Sequence, residues 1–247
     1  MSAQRLDRRL SSSGERSRSE ASRAVRAGLV TVNGVPARDP ALKVLPSDDV
    51  LLSGKPVADD TFQYYLLYKP AGVLTAARDK KAPTVMDFVP TALLKRNVLP
   101  VGRLDKDTTG LLLLTNDGPL AHALLDPKRH VWKRYEAVVA GRLTEADEQA
   151  FADGVPLSDF TARPAALRVL EAGEEESRAE VLVCEGKFHQ VKRMFLARGH
   201  EVLSLHRAAF GPLTLAGLRP GGFRPLEAGE VEALLRAAQG KPDQNEG

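Results

Sequence analysis

The sequence predicts an α+β chain in two domains, and three observations carry that prediction. Strand-like segments outnumber helical ones and follow one another in runs, which argues against a doubly wound sheet. Residues 1–58 hold their own short periodic segments around an Asn33-Gly34 turn. The polar connection Lys55-Pro-Val-Ala-Asp-Asp60 lacks apolar periodicity and divides that module from a larger domain over residues 61–238. A polar tail, residues 239–247, is expected to be disordered.

In the small module, Leu6 and Leu10, then Ala21, Ala24, Val25 and Leu29, supply the apolar positions of two short helices. Ser11-Ser-Ser-Gly14 separates them. Ser17 or Ser19 caps the second helix, with Glu20 in its first turn, and Gly28 closes it. Val30-Thr-Val32 and Val35-Pro-Ala37 flank the Asn33-Gly34 turn as a hairpin, because both turn residues tolerate positive φ. Val50-Leu-Leu52 reads as a further strand.

The larger domain opens with the aromatic strand Phe62–Tyr68 and the turn Lys69-Pro-Ala-Gly72. Residues 84–94 predict an interrupted helix. The segment Val101-Gly-Arg-Leu-Asp-Lys-Asp-Thr-Thr-Gly-Leu-Leu-Leu-Leu-Thr-Asn-Asp-Gly118 places Asp105 in a polar loop before four leucines, a short buried strand closed by a turn. Such a loop is costly to bury unless its polar groups are paired, and pairing would fix the pose of Asp105. Pro119–Leu125 predicts a helix with proline in its first turn. Lys133–Val139 is a strand, and Thr144–Phe151 a capped helix. Strands over 165–170 and 178–184 flank an acidic tip, Glu174-Glu-Glu176. Helices are expected at 191–198, ended by Gly199, and at 228–238.

Composition narrows the function classes. Hydrophobic residues make up 43% and charged residues 27%, ordinary for a soluble globular protein. No apolar stretch approaches the ~20 residues of a membrane span, and the arginine- and serine-rich start is not a secretory signal. The single cysteine, Cys184, has no partner for an internal disulfide, so a cytoplasmic setting is expected. Net charge is +3, but residues 1–30 hold seven arginines against Asp7, Glu15 and Glu20, a local +4 that leaves the rest at −1. That basic block suits phosphates.

On composition alone, Asp105 reads as a turn-capping aspartate on the surface. The full string Gly-Arg-Leu-Asp-x-x-Thr-x-Gly-Leu-Leu-Leu-Leu-Thr-Asn-Asp-Gly over residues 102–118 changes that reading, because it resembles the catalytic motif of the RsuA/RluB/RluE/RluF family of ribosomal RNA pseudouridine synthases. The resemblance spans nearly the whole chain. Tyr65-Leu-Leu-Tyr-Lys-Pro-Ala-Gly-Val73 is similar to the family's first motif, with Tyr68 where asparagine is usual. The first module is similar to the RNA-binding domain named after ribosomal small-subunit protein S-four, through Arg5-Leu-Asp7, Ser19-Glu-Ala-Ser22, Gly28–Gly34 and Val50. The resemblance implies a mainly antiparallel mixed sheet for the catalytic domain.

It also implies roles. Asp105 is the catalytic carboxylate, acting as nucleophile or base on the uridine. Tyr135, in His130-x-x-Lys133-x-Tyr135, lies against the target base, and Lys133 joins the RNA contacts. In Glu185–Met194, Lys192 matches the basic residue that pairs with the catalytic aspartate and keeps it ionised and oriented, with Arg193 in that place if the register slips by one. Arg103 helps open the duplex or hold the flipped nucleotide. Arg16, Arg18, Arg23 and Arg26 are the phosphate contacts of the first module.

The implied partner is ribosomal RNA or an assembling subunit, met by a monomer. The His130–Tyr135 spacing favours the small-subunit (16S) branch. A large-subunit target and a non-catalytic RNA-binding assembly factor are the rivals. A glycosidase pairing of Asp105 with Asp107 or Asp117 ranks low, since no sugar-stacking aromatics flank them. His200-Glu201 begins like a zinc-protease motif, but His206 is misplaced for it, and phosphate-binding glycine-lysine-serine patterns are absent. No metal, nucleotide or organic cofactor is expected.

Overall fold

The computed structural model describes residues 3–12, 16–45, 47–57, 62–94 and 96–240. The chain divides into two units, Met1–Phe62 with Pro90–Val98 and Gln63–Val89 with Leu99–Gly247. The expected break at 11–14 and the connection at 55–60 lie partly outside the described residues, as does 241–247 of the expected tail.

In the first unit, β1 (Gln4–Arg5) leads into α1 (Leu6–Ser12). Helix α2 (Arg18–Arg26) starts at Ser17, whose hydroxyl accepts from the Glu20 amide at 3.3 Å while Glu20 accepts from the Ser17 amide at 2.7 Å. This reciprocal cap satisfies two amides that the first turn leaves open. Strands β2 (Val30–Val32) and β3 (Val35–Ala37) form the expected hairpin, with Asn33 and Gly34 at φ of 51° and 79°. Strand β4 (Lys43–Val44) pairs with β1, β5 (Val50–Leu52) with β2, and β6 (Lys55–Pro56) with β5. Leu6, Leu10, Val25, Val30, Val44 and Val50 close a small core between helices and strands.

The second unit begins with β7 (Tyr64–Lys69), followed by a 3₁₀ turn at Val85–Phe88. The short α3 (Thr91–Leu94) groups with the first unit. Then come β8 (Leu99–Pro100), β9 (Thr109–Thr115) and α4 (Gly118–Leu125), whose capping Asp117 accepts from the Leu120 amide at 3.0 Å. They are followed by β10 (Lys133–Ala140), α5 (Glu145–Asp153), β11 (Ala166–Ala172), β12 (Glu176–Val183) and α6 (Gln190–Ala197). Strands β13 (Val202–Phe210), β14 (Leu213–Thr214) and β15 (Phe223–Pro225) and helix α7 (Ala228–Ala237) complete it.

Its main sheet runs β11-β12-β10-β13-β9-β7-β15, with β14 on β13 and β8 on β9. Every pairing is antiparallel except β9 with β13, so the unit is the expected α+β type. One core gathers Val139, Phe151, Val181 and Phe195 around β10 to β12; the other gathers Leu66, Leu111, Leu113, Leu124 and Phe210 around β7, β9 and β13. Leu111 to Leu114 are all fully buried, which accounts for a strand without polar alternation.

The parallel junction joins the two halves and needs Gly110. A Cβ there would lie 2.3 Å from the Arg207 carbonyl oxygen, and φ is 114°. Glycine alone permits that approach. The junction fixes the end of β9, and the Asp105 loop runs directly into it.

Candidate active site

Asp105 sits between two pinned neighbours. The Thr75 hydroxyl donates to the Leu104 carbonyl at 2.7 Å and accepts from the Leu104 amide at 3.1 Å. On the other side, the Gly72 amide donates to the Lys106 carbonyl at 2.8 Å. Below the loop lies Lys69, 0% exposed, whose ammonium donates to the carbonyls of Pro70 (3.0 Å), Lys106 (3.1 Å) and Thr108 (2.7 Å). Burial pulls this lysine down to about 8, against the upward pull of Asp107 and Asp105. The backbone carbonyls of Lys106 and Thr108 and both backbone polar groups of Leu104 are thus paired from within.

The Asp105 carboxylate faces a cleft of about 700 Å³. His189 Nε2 is 3.3 Å from one carboxylate oxygen and Lys192 Nζ 3.7 Å from the other. The nearer partner of Lys192 is Asp107, whose two oxygens accept at 2.6 and 2.7 Å. That bidentate pair holds the Asp107 carboxyl below its ordinary value. Lys192 therefore bridges two aspartates, with the shorter contacts to Asp107, while the imidazole of His189 is the closest basic group to Asp105.

The presentation of both groups is local. His189 takes a left-handed conformation (φ 50°) at the head of α6, and its ring stacks on Phe188 at 3.8 Å. The turn before it is held by Gln190, which donates to Glu185 at 2.7 Å and accepts from the Lys187 amide at 3.0 Å. Lys192 follows within the first turn of α6.

Tyr135 lines the same cleft from β10, opposite Arg207 on β13. Arg207 is 3% exposed; its Nε donates to the Leu111 carbonyl at 2.7 Å and its Nη1 to the Tyr135 hydroxyl at 3.5 Å. Lys133 occupies the floor, not the surface. It is 3% exposed, its ammonium donates to the Cys184 carbonyl at 3.4 Å and lies 5.3 Å from the Phe210 ring centroid, and burial brings it down to about 8. Lys133, expected among the RNA contacts, lines the cleft from beneath and adds positive charge there.

The other expected residues separate into three positions. Arg103 is exposed on the cleft rim. Arg193 turns to Asp159, to the Ser158 hydroxyl at 3.2 Å and to the Phe160 ring, so it does not share the place of Lys192. Arg16, Arg18, Arg23 and Arg26 are exposed in the first unit, with Arg18 Nε 3.6 Å from Asp7. Among the described residues, no group of three or more His, Cys, Asp and Glu is placed to hold a metal ion.

Four residues of the site carried no assignment from sequence: Lys69, Phe188, His189 and Arg207. The first lay in a string read as a turn, and the next two in a motif read for its lysine. Arg207 lay in a segment for which the sequence predicts no element.

Comparisons with known proteins show the family. Residues 63–197 match the family model described as RNA pseudouridylate synthase, and residues 4–50 match the S4 domain. The chain is 37% identical over 236 residues to ribosomal small subunit pseudouridine synthase A of Escherichia coli (strain K12), covering 94% of this chain and 100% of that protein. It is equally 37% identical over 238 residues to ribosomal large subunit pseudouridine synthase B of Bacillus subtilis (strain 168), covering 95% and 97%. A crystal structure of a pseudouridylate synthase superposes with a TM-score of 0.66 at 33% identity, covering 94% of this chain and 99% of the other.

Proposed function

This chain belongs to the RNA pseudouridylate synthase family and is an RNA pseudouridine synthase, and from that premise we propose that it isomerises one uridine of ribosomal RNA, in the small subunit, with Asp105 as its reacting carboxylate. The observation that carries the proposal is the setting of Asp105 in the cleft, with its loop pinned on both sides, His189 and Lys192 within 4 Å and Tyr135 on the facing strand.

The reaction breaks the bond from ribose C1′ to uracil N1, turns the ring and joins C1′ to C5. The C5 hydrogen leaves as a proton and N1 gains one, so no electrons are exchanged and no energy source is consumed. One carboxylate can act on the ribose or base as nucleophile or base, and a flipped uridine is needed because the reacting atoms are inaccessible in a stack. Asp105 takes that part. Tyr135 packs against the uracil, its hydroxyl held toward Arg207. Lys192 holds Asp107 and stands beside Asp105, setting the charge around the carboxylate.

Arg103 on the rim meets the RNA as the uridine leaves its stack. Arg16, Arg18, Arg23 and Arg26 grip phosphates of structured RNA, free or in an assembling subunit. As the resemblance implies, the chain acts as a monomer in the cytoplasm. Relatives named for both ribosomal subunits match equally well, so the choice of the small subunit rests on the His130-x-x-Lys133-x-Tyr135 spacing.

Mapping pseudouridine after incubation with unmodified small- and large-subunit RNA tests this choice. We expect one new site in the small-subunit RNA. A site confined to large-subunit RNA would discard the branch and keep the chemistry.

A further inference from the structure

We propose that the stacked Phe188–His189 pair is a platform for an unpaired RNA base beside the uridine that enters the cleft. The proposal rests on the RNA pseudouridine synthase reading and assigns the pair a part in holding that enzyme's substrate. Phe188 is 70% exposed, which its packing within the unit does not explain. The ring is nevertheless held flat on a support. Its centroid is 3.8 Å from that of His189 with the planes 17° apart, and His189 is itself fixed by its left-handed backbone and by Asp105 at 3.3 Å. One face of Phe188 is covered by the imidazole, and the other is turned to solvent.

Position gives this face its occupant. Phe188 lines the same cleft as Asp105, so a base lying on it belongs to a nucleotide close to the reacting one. Extracting a uridine from its stack leaves a neighbouring base without a partner, and an aromatic face supplies one. Arg103, Lys106 and Lys187 line the cleft as well and complement the phosphates that join such bases. Stacking tolerates any base, so the platform adds affinity and places the backbone without reading sequence. The platform and the chemistry share a residue: the imidazole that supports Phe188 also lies 3.3 Å from the Asp105 carboxylate.

The test is a binding cycle with a seven-nucleotide single-stranded RNA bearing pseudouridine, the product nucleotide on which no further reaction is possible, at its centre, alongside versions with an abasic residue at each neighbouring position. Phe188→Ala is expected to weaken binding about 5- to 100-fold, the range seen when a base loses an aromatic partner. Phe188→Tyr should bind like wild type, and Phe188→Leu, apolar without a π face, like Phe188→Ala. For the RNA lacking the stacked base, wild type and Phe188→Ala should bind alike. Equal losses from Phe188→Ala with every abasic RNA, or no loss with intact RNA, would overturn the platform. Because this readout is equilibrium binding, it stands apart from the functional reading. Wild-type protein that forms no pseudouridine in ribosomal RNA, with the coupling intact, would remove the proposed reaction and leave the platform.

Discussion

Asp105→Asn is expected to lower pseudouridine formation by about 10⁴-fold or more while RNA affinity stays within about twofold of wild type. The substitution keeps the size of the side chain and replaces one carboxylate oxygen by an amide nitrogen. The loop has no need of the carboxylate to hold its shape, because Thr75, the Gly72 amide and Lys69 secure it through Leu104, Lys106 and Thr108. Folding should therefore be unimpaired, and loss of turnover reports chemistry alone. Nucleoside analysis of the RNA product and a titration of RNA binding check the two halves. Turnover persisting at a tenth of wild type would take Asp105 out of the reaction.

Lys69→Met is the second substitution with a large expected effect, and it acts through support of the loop. The methionine fills a similar volume but leaves the Pro70 and Thr108 carbonyls without the buried ammonium that they share, while the Lys106 carbonyl keeps the Gly72 amide. Unpaired buried acceptors cost about 1–3 kcal/mol each, offset in part by no longer burying a charge, so a net loss of about 2–4 kcal/mol is expected. Turnover should fall about 10- to 100-fold with affinity little changed, because a loosened loop misplaces Asp105.

Lys69 also leaves a signature in pH. Its value is about 8 in the folded protein against an ordinary 10.5, so between these the unfolded chain holds more protons than the folded one. Its contribution to stability is greatest above 10.5 and is lost as pH falls through about 8. The stability difference between wild type and Lys69→Met should widen as pH rises across that window. Denaturant melts at several pH values measure it, and a pH-independent difference would show that the lysine does not titrate as its burial requires.

Much of the fold was legible because local chemistry and global packing agree. Ser17 with Glu20, Asn33-Gly34 and Asp117 before Pro119 announce a helix start, a hairpin and another helix start by their own hydrogen-bonding needs. Leu111 to Leu114 announce a strand covered on both faces. Strand β13 was not legible. Its Val-Leu-Ser-Leu-His-Arg-Ala-Ala-Phe sequence alternates only over Leu203–His206, and the pattern then breaks because the buried face holds charged Arg207 while Leu203 is exposed. Arg207 then satisfies its Nε on the Leu111 carbonyl, a partner 96 positions away that no local pattern reveals.

The site shows the same division. Asp105, Tyr135 and Lys192 came from motif resemblance and line one cleft. Lys69 reads locally as the start of a Lys-Pro turn; its burial follows from three carbonyls that converge only after β7 pairs with β9, where Lys69 faces Gly110. Lys133 lies on a strand whose alternation leaves either face open, and the packing of β10 between β12 and β13 turns it inward. His189 needs the left-handed turn before α6 to reach Asp105, and nothing in Phe-His-Gln requires that turn.

The most direct measurement is tritium release from uridine labelled at carbon 5, in small-subunit RNA free or partly assembled and in large-subunit RNA, with wild type and Asp105→Asn in parallel. Wild type is predicted to release one tritium per small-subunit RNA molecule and Asp105→Asn none. Release by both proteins alike, or silence from wild type on all three RNAs with binding retained, would contradict an isomerisation centred on Asp105.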